Sequence, residues 1–188
     1  MSIVLKNKRV AFFSFLFLLF SGLVQAQAHA QDIVRVTIDQ KVRDAQVVGM
    51  ERDGQKFAGV LVYANNAWNK IYFSKSDLQT IQQAAQNYFA DFDSMKLKKG
   101  KKNSIKKYGT VTCFVEWGSD KKTIDRFCDT RADLGYAFVK AAPYFCINIY
   151  PAKNQNPEQK SPAYQTFDKL TLLFTKSQIS DLCQKTAP

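Results

Sequence analysis

The sequence predicts an α+β fold, in which a mainly antiparallel sheet is covered by one long central helix and a short C-terminal helix. Three observations support this prediction. Apolar residues alternate along several short runs, which is typical of strands with one buried face. One segment carries apolar residues at intervals of three and four, as an amphipathic helix does. A similar strand-to-helix motif occurs twice, so the pattern also allows two strand-then-helix repeats.

The first thirty residues have the layout of a cleaved signal peptide. Three basic residues precede an apolar stretch at 10–24, and small-residue cleavage patterns follow it. This arrangement is typical of exported proteins. We therefore assign residues 1–30 to a signal peptide and expect cleavage after Ala30 or after Ala26, so that the processed chain begins at Gln31 or Gln27. The sequence accordingly predicts a periplasmic or secreted protein.

The remaining residues, 31–188, have a length that suits a single domain. We divide this domain into halves of about 31–95 and 108–188, joined by a lysine-rich linker. The whole chain has a formal net charge of +11. About +8 of this charge remains after removal of the predicted leader. A positive charge of this size favours anionic partners.

The predicted strands are short runs of β-branched and aromatic residues separated by turn residues. One pair forms a predicted hairpin around Asn65 and Asn66. The predicted strands lie at 33–38, 47–48, 57–63, 68–73, 110–117, 123–128, 136–139, 144–150 and 168–174.

Two helices are predicted from their N-terminal signals. Ser74 and Thr175 stand where N-cap residues belong. Gln178 completes a capping box with Thr175, and Asp77 forms a weaker version with Ser74. The same device at two sites is stronger support for these helix starts than either would be alone.

Each cap is preceded by a phenylalanine in the position of a hydrophobic staple, Phe73 in the first case and Phe174 in the second. We expect both rings to be buried between sheet and helix. The first helix is predicted at about 75–94, with Gly100 as a stop signal. The second is predicted to end near Lys185. The proline-containing stretch after residue 150 is expected to be a mobile surface loop.

Four cysteines lie in the C-terminal half of the chain. An even number of cysteines in an exported protein predicts two disulfides, with three possible pairings. Strand alternation favours the pairs Cys113–Cys183 and Cys128–Cys146. Their spacing does not match a zinc site, and we expect neither a metal nor a cofactor.

The residues offer little for acid–base or nucleophilic catalysis. The chain's one histidine, His29, lies in the predicted leader. Oxidised cysteines would supply no thiolate nucleophile. We assign no catalytic residue, and the sequence favours a non-catalytic role.

The strongest binding candidate is the lysine-rich segment at 96–107. Lysines attract phosphate or carboxylate through long-range charge, an effect that salt weakens. Lysine without arginine argues against specific recognition of nucleic-acid bases. Candidate partners are therefore an anionic polymer, a membrane surface or an acidic protein, and the alternative is a solvated linker. The candidate anion-binding residues are Lys96, Lys98, Lys99, Lys101, Lys102, Lys106 and Lys107.

These observations predict an exported, non-catalytic binding or accessory protein of the bacterial envelope. A second hypothesis is a secreted effector or toxin-like protein. A third is an enzyme that works without histidine.

Overall fold

Ten strands and two helices make up the part of the chain that the computed structural model describes, which is residues 33–97, 104–159, 161 and 165–187. The predicted signal peptide and the middle of the lysine-rich segment lie outside these residues. In chain order the elements are β1 (Ile33–Ile38), β2 (Lys41–Arg52), β3 (Gln55–Ala64), β4 (Ala67–Ser74), α1 (Lys75–Asp93), β5 (Ser104–Gly118), β6 (Arg126–Val139), β7 (Ala142–Ile149), β8 (Ala152–Lys153), β9 (Thr166–Phe167), β10 (Leu170–Phe174) and α2 (Lys176–Lys185).

Eight of these strands form one antiparallel sheet that closes on itself as a barrel. Around the barrel the order is β1, β10, β7, β6, β5, β4, β3, β2. β4 pairs with β5 across the long connection that contains α1 and the lysine-rich segment. The barrel is closed by β1 and β10, where Thr37 faces Leu173. β8 and β9 form a small ribbon of their own.

The hairpin turns between the first four strands use pairs of residues with positive φ. Such pairs make turns of type I′, whose twist matches that of the flanking strands. The predicted hairpin around Asn65 and Asn66 is confirmed, with φ of 52° and 58°. The turns that precede it have the same character and use Asp39 with Gln40 and Asp53 with Gly54.

Alternate side chains of the barrel strands point inward and form the hydrophobic core. At the end of the barrel where β10 begins, Trp117 packs edge-on against Phe167, with ring centroids 5.7 Å apart. At the end where β10 leads into α2, the helices add Ile81, Tyr88 and Ile179 to the same core. Each fully buried large apolar side chain stabilises the fold by about 1.5–3 kcal/mol.

The predicted layered α+β arrangement is wrong. No single long helix covers a sheet among the described residues; the strands bury their apolar face against one another by closing into a barrel. The sheet is also larger than predicted, because β2 covers Lys41–Arg52 where the sequence predicted a strand only at 47–48. The strands that precede the two helices, β4 and β10, lie on opposite sides of the barrel.

The predicted helix positions and N-terminal caps are confirmed. Gly100, the predicted stop signal, lies outside the described residues, and α1 already ends at Asp93. α1 spans Lys75–Asp93, with the Ser74 side chain accepting a hydrogen bond from the Asp77 amide. α2 ends at Lys185 and has the full capping box between Thr175 and Gln178. Phe73 and Phe174 are both buried, as the staple signals predicted.

The first cap has a further role that its sequence signal did not predict. Rather than reaching back to the Ser74 amide, the Asp77 carboxylate accepts hydrogen bonds from the backbone and hydroxyl of Thr112 on β5, both at 3.1 Å. One carboxylate therefore fixes the start of α1 to the barrel wall.

The stretch after β7 was predicted to be a mobile loop, but its described part is bonded to the barrel. The Asn154 side chain accepts hydrogen bonds from the amides of Phe127 (3.2 Å) and Asn156 (3.0 Å). The Asn156 amide group donates to the backbone carbonyl of Asp125 at 2.6 Å. Polar side chains that suggested solvent exposure thus serve to attach this segment to the start of β6.

The two ends of the folded unit lie side by side. Residues Ile33–Pro188 form one compact unit, and the Lys185 ammonium donates a hydrogen bond to the Ile33 carbonyl at 2.6 Å. Among the described residues, neither helix has the length and hydrophobicity of a transmembrane helix.

Candidate functional site

The candidate site is built where α1 ends and the lysine-rich segment begins. The helix is capped by Ser94, and the next residue, Met95, has a φ of +53°. The Lys96 amide bonds back to the Asp91 carbonyl at 2.9 Å, which closes the helix end. Glycine usually occupies such a left-handed position, and a residue with a side chain costs roughly 1–2 kcal/mol more there.

The side chains on either side of Lys96 point in opposite directions. The Met95 side chain is 88% exposed, whereas Leu97 turns back and packs against the core. At the other end of the lysine-rich segment, Tyr108 also packs against the core. Both ends of the segment are therefore fixed on the same hydrophobic core.

Three of the seven candidate lysines are described. Lys96, Lys106 and Lys107 are exposed and flank the segment on its two sides. The other four, Lys98, Lys99, Lys101 and Lys102, lie outside the described residues.

Lys107 is already engaged within the protein. Its ammonium lies 2.5 Å from an oxygen of Asp91 and 5.4 Å from the ring centroid of Tyr108. The Tyr108 hydroxyl donates to the same carboxylate oxygen at 2.9 Å. The hydrogen bond from Lys107 lowers the pKa of Asp91 below its usual range, and burial raises the pKa of Tyr108. Lys107 thus connects β5 to α1, and Lys96 and Lys106 are the described lysines better placed for an external anion.

A fourth described cation belongs to this end of the molecule and was missed by the sequence reasoning. Lys176, at the start of α2, forms an ion pair with Asp93 at 2.6 Å. Its ammonium also lies 5.3 Å from the ring centroid of Phe89 and 5.1 Å from that of Phe92. It holds the last turn of α1 against the start of α2 while Phe92 remains 38% exposed.

Comparison with known protein families assigns the chain to one of them. A family model described as "Uncharacterised Treponema protein" matches residues 13–187. The chain belongs to this family. The matched region of this Treponema family includes the whole described barrel and the candidate site. None of the curated proteins or solved structures compared with the chain matches it.

The structure of this family member holds its four cysteines as free thiols. Cys146 faces Gly135 across the β6–β7 pairing, which puts it roughly 20 Å along β6 from Cys128. A disulfide needs Cα atoms within about 7 Å, so this fold does not allow the predicted Cys128–Cys146 pair. Cys113 and Cys183 pack against the same core but are not bonded to each other.

Burial also determines the chemistry of these thiols. It raises the pKa of Cys128 and Cys146 to about 12 and that of Cys183 to about 11. These thiols are protonated at neutral pH, and a protonated thiol is a weak nucleophile. Within the described residues, no group of three or more His, Cys, Asp or Glu side chains could hold a metal ion.

Proposed function

We propose that this chain is an exported, non-catalytic binding or accessory protein of the bacterial envelope that contacts an anionic partner through its lysine-rich segment. The observation that carries the proposal is the attachment of that segment to the core by Leu97 and Tyr108. Six lysines lie between these two points in the sequence. The two ends of the segment are fixed near one end of the barrel, and Lys96 and Lys106 are exposed beside them.

The roles of the other charged groups support a binding rather than a catalytic function. Asp77 clamps α1 to β5, and Asp91 accepts hydrogen bonds from Lys107 and Tyr108. Glu116 accepts from Lys70 at 3.2 Å on the barrel wall. These carboxylates hold elements of the fold together.

Export is the second part of the proposal, and the layout of the first thirty residues supports it. Fractionation of expressing cells tests it. We expect a processed chain starting at Gln27 or Gln31 in the periplasmic fraction. Recovery from the culture medium would favour the secreted-effector hypothesis instead, and an unprocessed cytoplasmic chain would contradict export.

Neutralising the lysine-rich segment tests the anionic contact. Changing Lys98, Lys99, Lys101 and Lys102 together to Gln should weaken binding to heparin and to anionic vesicles at low salt. A lysine near an anionic surface contributes about 1 kcal/mol. The proposal requires these four side chains to meet an external partner, and charges that face solvent contribute little to stability, so the melting temperature should hardly change.

A matched control removes four exposed lysines from other parts of the surface. Changing Lys41, Lys56, Lys122 and Lys153 to Gln lowers the net charge by the same amount. This control should keep most of the binding. If the two quadruple variants lose the same amount of binding relative to the parent, net charge alone accounts for the attraction and the lysine-rich segment is only a linker.

A further inference from the structure

Two exposed apolar side chains lie beside the lysine-rich segment. Phe92 and Met95 are one helical turn apart at the end of α1, and the Met95 amide bonds to the Phe92 carbonyl at 3.0 Å. Met95 lies beyond the last helical residue, Asp93, and this hydrogen bond holds its backbone next to that of Phe92. We call this pair the apolar tip.

The apolar tip is unfavourable for the isolated fold in two ways. Met95 is the most exposed of the large hydrophobic residues described, and it also occupies a left-handed backbone position that glycine or asparagine would fill without strain. Leu97, two residues later, reaches the core, so this turn of chain can bury an apolar side chain. Met95 instead points its apolar side chain into solvent, where it is open to a contact outside the fold.

The residues around the apolar tip indicate which kind of partner it contacts. Lys96 follows Met95 directly, and Lys106 is exposed where the lysine-rich segment returns to the barrel. Lys176 stacks on Phe92 but is already paired with Asp93. An anionic polymer would neutralise the lysines but would leave Met95 in water. The surface of an anionic bilayer offers both lipid phosphates for the lysines and an apolar layer a few ångströms below for the tip.

We infer that the apolar tip inserts into the surface of an anionic lipid bilayer while the neighbouring lysines bind its headgroups. This inference rests on the proposed function, since it names the partner of the same lysine-rich segment. Charge attracts the protein, and burial of Met95 and Phe92 adds affinity that salt does not weaken.

The test replaces Met95 and compares two probes. The parent is the chain from Gln31, which contains the whole compact unit. The first probe is vesicles of mixed phosphatidylcholine and phosphatidylglycerol; the second is heparin, a soluble anionic polymer. Met95→Asn should bind the vesicles about tenfold more weakly, because an apolar side chain is no longer buried. Its binding to heparin should equal that of the parent.

Two further variants make the result specific. Met95→Leu keeps an apolar side chain and should bind vesicles like the parent. Val42→Asn removes another exposed apolar residue, on β2, and should also leave vesicle binding unchanged. Asparagine suits a left-handed position, so the melting temperature of Met95→Asn should not fall. Weak vesicle binding by this variant then cannot be attributed to unfolding.

The remaining outcomes separate this inference from the proposed function. If Met95→Asn binds anionic vesicles like the parent while the quadruple Gln variant of the lysine-rich segment does not, the tip does not insert and only the charge contact stands. A parent that binds heparin but not vesicles also overturns lipid insertion and leaves a polymer as the partner. If the quadruple variant binds both probes as well as the parent, the proposed function fails and the inference fails with it.

Discussion

At the scale of single residues, Phe174 is both the predicted staple residue of α2 and a buried part of the core. It ends β10, precedes the cap of α2 and is completely buried. We expect Phe174→Ala to lower the free energy of unfolding by about 3–5 kcal/mol, because it leaves a cavity in the core. Domains have a total stability of roughly 5–15 kcal/mol, so the loss should be plain in a thermal melt.

The exposed Val42 provides the comparison for this change. Val42→Ala should alter stability by no more than about 0.5 kcal/mol, because the side chain is 63% exposed. Similar melting temperatures for the two variants would mean that Phe174 is not packed as the structure describes.

Residue positions could be predicted where the signal is local. Phe73 and Phe174 follow from staples that involve neighbours in sequence. The left-handed conformation of Met95 has no such signal, because it depends on where the chain must go after the helix. The contacts of Lys176 with Asp93 and Phe92 join residues far apart in sequence, and only the folded chain brings them together.

At the scale of elements, the close approach of β3 and β4 depends on one glycine. A Cβ atom on Gly59 would lie 1.8 Å from the Ile71 carbonyl oxygen, which is backbone and cannot rotate away. Gly59→Ala should therefore force the two strands apart and lower the melting temperature severely. Measured thermal unfolding, with circular dichroism to confirm strand content, gives the answer.

A second glycine on the neighbouring strand serves as the control. At Gly49 the nearest atom to an added Cβ is 3.5 Å away, an ordinary contact distance. Gly49→Ala should be tolerated, and alanine also reduces the entropy of the unfolded chain. Equal tolerance at both positions would contradict the pairing of β3 with β4.

The helices were predicted more accurately than the strands for a physical reason. Caps and apolar spacing are contained within each helix, and both helices begin where those signals place them. β6 was predicted as two short strands, 123–128 and 136–139, but runs unbroken over Arg126–Val139. The polar residues in the middle of β6 interrupt its apolar alternation, so the sequence did not indicate one continuous strand. Asp133 among them is buried and accepts hydrogen bonds from Thr110 and Tyr150.

At the scale of the whole molecule, the pairing of β1 with β10 that closes the barrel is the shortest pairing in it. β1 and β10 align only at Thr37 and Leu173, whereas β5 and β6 stay in register from Gly109 to Trp117. Local opening should therefore begin between β1 and β10. Native-state hydrogen exchange should show faster exchange for the amides of β10 than for those of β5 next to Val115. Uniform protection around the barrel would show that the closure is as strong as the long pairings.

Closure was the part of the fold that sequence patterns could not predict. Alternation indicates that a strand has one buried face, but a flat sheet under a helix and a barrel closed on itself both satisfy it. The choice depends on whether the first strand reaches the last. Nothing near Thr37 or Leu173 in the sequence indicates that they meet. The candidate site shows the same division, because its lysines were visible in the sequence and their attachment through Leu97 and Tyr108 was not.

The hydrogen bond between Lys185 and the Ile33 carbonyl has a consequence for how the chain can be cut and rejoined. Because the two ends of the folded unit meet, a short linker could connect them, and new termini could be opened at an exposed turn such as Asp53–Gly54. Such a circular permutant keeps every strand neighbour of the barrel while changing the order in which the strands are synthesised. Because the strand pairings form a closed ring, the position of the chain termini within that ring should have little effect on stability.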